Sequence, residues 1–456
     1  MLKGITKVHF IGIGGAGMSA LARILIDKGY TVSGSDMKES PIVEQLRAKG
    51  AVIFKGHSAE NVNGVEAIVV STAIPETNPE VVAAKEKGIK RLHRSDVNAF
   101  LLNGAKGIAV AGAHGKTTTT SMTGVVLDSA GVSPTIIIGG EVDYLGGNAR
   151  LGKGEYLVSE ADESDGSFLK LKPHIAVVTN VEDDHMDHYG SMDNIRKAFK
   201  EFIENIDQET GCAVLCFDNE NIRNIAAAVD RHIISYAIDH EADYNAVEIR
   251  PQGSGISFGV TYRGELLGRI ALNIPGRHNV LNALAVVAVS RLVGVDFEKI
   301  VAGFTLFNGA KRRFETKGRK NGVWVVDDYA HHPTEIASTL VAARQTAPKR
   351  LICAFQPHRF TRTQLLAKEF GSCFKEADLL LLTDVYSAGE APITGVDGHL
   401  IEKEVLAATG CQAIYVEKRE NIAKELAKIV KDGDLVITMG AGDIYLTGPE
   451  LLEKLS

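Results

Sequence analysis

Two glycine-rich stretches hold the residues whose spacing reads most directly as chemistry. In the first, Gly12, Gly14 and Gly17 fall at the G-x-G-x-x-G spacing, between an apolar run at 8–13 and a helical pattern at 19–28. Glycine lets the backbone turn tightly and approach a phosphate, and the helix start adds free N–H groups and partial positive charge. Asp36, at the end of a second strand (31–35), stands where a ribose hydroxyl would be read. The pattern points to a nucleotide-type diphosphate without saying which nucleotide. The second stretch, AGAHGKTT from Ala111 to Thr118, also follows an apolar strand (107–111) and precedes a helix. Gly115-Lys116-Thr117 matches the end of a P-loop, although Val110 stands where the full pattern wants glycine. The chemistry still fits ATP: backbone N–H groups cradle phosphates, Lys116 reaches the β/γ oxygens and the Thr117 hydroxyl ligates Mg²⁺.

Polar clusters follow other strands. Glu160, Asp162, Glu163 and Asp165 come straight after a strand at 156–159, where a magnesium ligand or base would sit. His185 closes an acidic run, Glu182-Asp183-Asp184, just past a strand at 175–179. A hard Mg²⁺ ion prefers oxygen, so a histidine ligand is unusual on chemistry alone. Asn279 and Asn282, three apart at a helix start, share a face, and one of them could cap the helix. Lys311, Arg312 and Arg313 form a basic cluster in an acidic chain, suited to transferring phosphate. Asp327, Asp328, Tyr329, His331 and His332 end another strand and suit substrate contacts. Arg359 and Arg362, in the string FQPHRFTRT, suit a bidentate carboxylate clamp.

These residues need a frame that brings strand ends together. Short β-branched runs alternate with helical patterns, which predicts α/β layers with parallel sheets. The pattern restarts near 105 and 311. It gives three domains: a Rossmann-like one at residues 1–104, a P-loop-type one at 105–310 and a Rossmann-like one at 311–456. Alternating residues and glycine breaks at 242–273 add small antiparallel strands to the middle one, and further strands are expected at 323–326, 350–355, 379–383, 413–416 and 435–439. The length of 456 residues suits about three domains. With 45% hydrophobic and 23% charged residues the chain reads as globular, not disordered or fibrous. The net charge of −7 argues against a general nucleic-acid binder. No apolar run approaches the ~18 residues of a spanning helix, so no membrane insertion is expected. Five cysteines without a C-x-x-C pair read as free thiols of a cytoplasmic protein.

Taken in order, GIGGAGMS, AGAHGKTTTT, EADESD, NVEDDHMDHY, GRHNVLNALA, GAKRRFE, DDYAHHPTE, FQPHRFTRT and GAGDI resemble the Mur ligases of peptidoglycan synthesis, from about residue 7 to residue 445. The resemblance implies an N-terminal UDP-substrate domain, a central ATPase domain and a C-terminal domain with amino-acid contacts. The activity it implies is ATP-driven joining of L-alanine to the carboxylate of UDP-N-acetylmuramate. A UDP-sugar would then lie on Gly14, Gly15, Ala16, Gly17, Met18, Ser19, Asp36, Ser71 and Thr72. ATP would lie on Gly112, His114, Gly115, Lys116, Thr117 and Thr118, with Asn279 and Asn282 at the adenine nucleotide. Thr117, Glu160 and His185 would hold Mg²⁺. Lys116, Arg313, Asp328 and His331 match active-site positions, with Asp328 or His331 taking the amine proton. Tyr329, His331, Arg359 and Arg362 would surround L-alanine and the muramoyl carboxylate. A recycling ligase that attaches a whole tripeptide is the nearest alternative. An NAD-dependent oxidoreductase would use the first loop and leave the Lys116 loop unexplained.

Overall fold

A computed structural model describes residue 2, residues 4–409 and residues 411–455. The chain divides into two compact units: Met1–Glu248 with Phe258–Ile270 and Leu281–Asn308, and Gly309–Ser456 with Ile249–Ser257 and Ala271–Val280.

The first unit holds a five-stranded parallel sheet in the order Val52–Lys55, Thr31–Asp36, Lys7–Ile11, Ala67–Val70, Lys90–His93. The strand expected to run to Ile13 stops at Ile11. Gly12 takes φ 78°, and the N–H groups of Gly12 and Ile13 both turn to the carbonyl of Ser35, at 2.8 and 3.0 Å. That reversal opens the first glycine loop and starts the helix Ala16–Asp27.

The second sheet centres on Lys106–Ala111, paired in parallel with Tyr156–Glu160 on one side and Ile175–Val178 on the other. Cys212–Cys216 and Ile233–Ala237 extend it beyond Ile175–Val178. Thr135–Val142, with its antiparallel partner Gly147–Arg150, closes the other edge. The hairpin-linked strands expected at 242–273 are Tyr244–Gln252, Gly255–Tyr262 and Glu265–Leu272. They continue the same sheet, because Tyr244 and Asn245 pair in parallel with Tyr236 and Ala237. The run Ile108–Ala111 is apolar at every position because both faces are covered, as parallel sheets require.

The second unit carries a six-stranded sheet in the order Glu315–Lys320, Val323–Asp328, Asp434–Met439, Arg350–Phe355, Leu379–Leu382, Gln412–Tyr415. Its first pair is antiparallel and the rest are parallel. Side chains alternate between two cores. Leu351, Cys353 and Phe355 meet Leu340, Phe370 and Phe374 on one face; Ile352 and Ala354 meet Ile422, Leu426 and Leu451 on the other. Each buried Leu, Ile or Phe contributes about 1.5–3 kcal/mol, and this packing holds the strand ends in place. The strand Glu315–Lys320 has no apolar pattern to betray it, since it lies at the charged edge of the sheet. Among the described residues all five cysteines are free thiols, and no helix is long and apolar enough to cross a membrane.

Candidate active site

In each sheet the candidate residues follow the C-terminal ends of parallel strands, where open α/β sheets bind ligands. The first glycine loop is braced from beneath. Asp36 Oδ2 accepts the Gly14 N–H at 2.9 Å, and a Cβ added to Gly14 would lie 2.9 Å from the same oxygen. The carboxylate expected to read a ribose thus shapes the loop itself. Gly15 and Ala16 are exposed and Gly17 is half-buried, while Met18 and Ser19 are buried. Ser19 donates to the Ala16 carbonyl at 3.0 Å and accepts from Asn148 at 2.8 Å, so its hydroxyl is engaged inside the fold. Ser71 and Thr72 follow the C-terminal end of Ala67–Val70, the strand parallel to Lys7–Ile11.

The second loop is clasped by the neighbouring strand. Thr179 donates to the His114 carbonyl at 2.6 Å; Asn180 accepts the His114 N–H at 2.8 Å and donates to its carbonyl at 3.0 Å. Gly112 is required here: its φ is 139°, and a Cβ would lie 2.1 Å from Thr179 Oγ1. The His114 ring faces Glu182 at 3.2 Å. Gly115 precedes the helix Lys116–Ser129, and Asn282 Oδ1 would lie 2.7 Å from a Cβ placed on it. Asn282 therefore reaches the second glycine loop. Asn279 donates to the Pro275 carbonyl at 2.7 Å and sits inside the helix Arg277–Leu292, so it is not that helix's cap.

Lys116 Nζ donates to the carbonyls of Gly112 and Ala113, at 2.6 and 3.3 Å, and to Glu163 Oε1 at 2.7 Å. Burial alone would lower its pKa, but Glu163, with Asp162 and Glu160, holds it above the ordinary lysine value. Thr117 is half-buried in the first turn and Thr118 is buried behind it. Glu160 Oε1 accepts the Gly139 N–H at 2.6 Å. His185 lies in other company: its Nε2 is 3.6 Å from Glu163 and 3.5 Å from Asp184. Burial works against its charged form, yet those carboxylates raise its pKa. Among the described residues no three His, Cys, Asp or Glu side chains form a ready metal cage. Glu163 is nevertheless 3% exposed, and its buried Oε2 has no hydrogen-bond partner. A hydroxyl, carboxylates and an orphaned carboxylate oxygen beside a phosphate loop fit a hard divalent cation.

The second unit assembles another set. Asp328 is buried and accepts the Phe314 N–H at 2.7 Å and the Ala330 N–H at 2.8 Å, so both of its oxygens are occupied. Burial, partly offset by Arg313, raises it to about 6. Arg313 lies over the Tyr329 ring at 5.3 Å. Arg312 is tied to Asp327 at 3.1 Å and to the carbonyls of Gly440 and Gly442, a structural role that leaves Arg313 as the arginine of interest. His331 Nδ1 lies 3.0 Å from the Tyr329 carbonyl. A carbonyl only accepts, so Nδ1 carries the proton and Nε2 is the acceptor. Burial pushes His331 down to about 4, and it is neutral at pH 7. Tyr329, His331, His358 and Tyr386 form a run of ring contacts at 5.3, 5.9 and 5.7 Å, and Arg362 Nη1 is 3.4 Å from His358 Nδ1. Arg359 is exposed and stands 3.9 Å from Glu390.

Sequence reasoning passed over Asn180 and His358 as participants, and it named Glu163 only as one of four strand-end carboxylates without its pairing to Lys116. Each lies within a string already singled out by its position after a strand, and each is distinguished by contacts between strings that spacing does not encode.

Three family models match the chain in order: the Mur ligase family catalytic domain at residues 7–106, the Mur ligase middle domain at 110–290 and the Mur ligase glutamate ligase domain at 312–442. UDP-N-acetylmuramate–L-alanine ligases from Pelotomaculum thermopropionicum and Geotalea daltonii are 50% and 48% identical. The alignments span 98% and 99% of this chain, and 97% and 98% of theirs. The chain belongs to the Mur ligase family. Among solved structures, this Mur ligase resembles the UDP-N-acetylmuramate-alanine ligase of Thermotoga maritima (TM-score 0.84, 30% identity, 98% of both chains). It also resembles a murein peptide ligase of Psychrobacter arcticus (TM-score 0.74, 26% identity, 98% of both chains).

Proposed function

We infer that this Mur ligase joins L-alanine to the carboxylate of UDP-N-acetylmuramate in the cytoplasm, with ATP converted to ADP and phosphate. One observation carries the reading from geometry. A single cavity of about 240 Å³ is lined both by Gly17 of the first glycine loop and by Lys116 of the second. A chain with two phosphate loops opening on one cavity suits one nucleotide as a fuel and another as a carrier of the reacting group. The names of the relatives, at about half identity over nearly the full length, supply the acceptor.

The muramoyl carboxylate is a poor electrophile because its leaving group would be oxide. Its attack on the γ-phosphate of ATP forms an acyl phosphate and ADP, with Lys116 offsetting charge on the transferring group. Thr117, Glu160 and His185, with the unpartnered oxygen of Glu163 beside His185, would hold Mg²⁺, which when bound would neutralise phosphate charge. The amine of L-alanine then attacks the acyl carbon, and phosphate leaves from the tetrahedral intermediate. Asp328 or His331 takes the amine proton in this account: the Nε2 of His331 is unprotonated but burial disfavours its charged form, whereas Asp328, raised to about 6, is the stronger base although each of its oxygens already accepts a backbone N–H. Arg359 and Arg362 take the amino-acid carboxylate. A heavy-oxygen label placed in the muramoyl carboxylate tests the route. Its transfer to the released phosphate is the expected result; label kept wholly in the amide product overturns the acyl phosphate.

A further inference from the structure

Arg94 opens the helix Arg94–Asn103 and lines the same cavity as Gly17 and Lys116, yet nothing in the reaction described above uses it. Its Nη2 donates to Asp162 Oδ2. Asp162 is fixed in turn, its Oδ1 accepting the Ser164 N–H at 3.0 Å. One turn along the same helix, Asn98 accepts from the Ser159 hydroxyl at 2.9 Å and donates to the Glu160 carbonyl at 3.3 Å. Arg94 and Asn98 thus bind the helix to the strand end that carries Glu160. With Nη2 committed to Asp162, the planar fork points its other arm elsewhere: Nη1 lies 3.4 Å from the position of a Cβ on Gly17. The charged groups on the cavity wall are Arg94, Lys116, Glu160 and Asp162. Lys116 is engaged in the second loop by Glu163 and Gly112, which leaves Arg94 as the cation that faces the first.

We propose that Arg94 binds the diphosphate of the UDP-linked substrate through Nη1, with Asp162 fixing the orientation of its guanidinium. The assignment rests on the reading of the first loop as the UDP-sugar site and adds a side chain to a loop that otherwise offers only backbone. The diphosphate is favoured over the muramoyl carboxylate because Nη1 sits against the last glycine of the loop. It is favoured over ATP because Lys116 already serves the second loop.

Titration calorimetry on the full chain separates these ligands, with UDP, UDP-N-acetylmuramate and ADP as probes and Arg94→Gln and Arg94→Lys as variants. Loss of a charge-assisted hydrogen bond is expected to weaken UDP and UDP-N-acetylmuramate by the same factor, about tenfold or more, in Arg94→Gln. ADP affinity stays at the wild-type value, which also reports an intact fold. Arg94→Lys keeps the charge without the fork and falls between the two. Unchanged UDP affinity in Arg94→Gln overturns the proposal, whether or not UDP-N-acetylmuramate weakens; weakening of ADP alone also overturns it. A wild-type chain that does not bind UDP overturns the reading of the first loop instead.

Discussion

Replacing Glu163 with glutamine removes the carboxylate that holds Lys116 in the second loop while keeping the side chain's size. The two groups lie 2.7 Å apart, with side-chain exposures of 19% for Lys116 and 4% for Glu163. At an effective dielectric of about 20, unit charges at that distance attract by about 6 kcal/mol. Desolvation offsets much of this, and removing one partner of a buried pair typically costs about 3–5 kcal/mol because the other charge is stranded. Lys116 keeps its bonds to the Gly112 and Ala113 carbonyls and the nearby charges of Asp162 and Glu160, so the cost falls at the lower end, about 3 kcal/mol. At about 2 cal/mol/K of unfolding entropy per residue, that cost lowers the melting point of the first unit, nearly 290 residues, by about 5 °C. Saturating ADP supplies anionic oxygens to the stranded ammonium, whereas in the wild type it must compete with Glu163 for the same group. Scanning calorimetry with and without ADP is therefore expected to show a larger ADP-induced rise in Glu163→Gln than in the wild type. A variant that melts with the wild type, or gains no more from ADP than the wild type does, refutes this account of the lysine.

Lys116→Met is expected to lower substrate-dependent phosphate release by about a hundredfold or more, with UDP binding retained in calorimetry. Asp328→Asn leaves one of the Phe314 and Ala330 N–H groups without its acceptor and is expected to destabilise the second unit by about 1–3 kcal/mol in chemical denaturation. Burial holds His331 and His358 at about 4 against an ordinary 6.5, so on acidification the unfolded chain takes up protons that the folded chain refuses. The stability tied to this difference is fully present above pH 6.5 and is lost as pH falls toward 4, by up to about 3 kcal/mol for the buried His331 and by less for His358, which solvent partly screens. A His331→Gln/His358→Gln double variant is expected to show a flatter dependence between those limits in denaturation followed across pH.

Much of this arrangement is written locally. The two glycine loops were legible because strand, glycine turn and helix are consecutive, and both loops fall where that order put them. Glu160 and Asp328 were legible as strand-end residues for the same reason. Contacts between strings were not. Nothing in the order of residues says that Asp36 folds back on the Gly14 N–H, that Glu163 and not Glu160 meets Lys116 and His185, or that Asn180 clasps His114. Each depends on which strands are neighbours in the sheet, and Ile175–Val178 lies beside Lys106–Ala111 although about sixty residues separate them. The strand Glu315–Lys320 escaped notice because an exposed edge needs charge more than it needs alternation. His358 escaped because its place is set by rings from two other segments, His331 and Tyr386.

The central claim is that both glycine loops serve one synthetic reaction with L-alanine as acceptor. Phosphate release from ATP and Mg²⁺, measured with UDP-N-acetylmuramate and either L-alanine or L-alanyl-γ-D-glutamyl-diaminopimelate, tests it most directly. Release that requires both the UDP-sugar and L-alanine, with a product heavier by one alanine residue, is the predicted result. A response to the tripeptide in place of L-alanine, or no release with either acceptor, contradicts it.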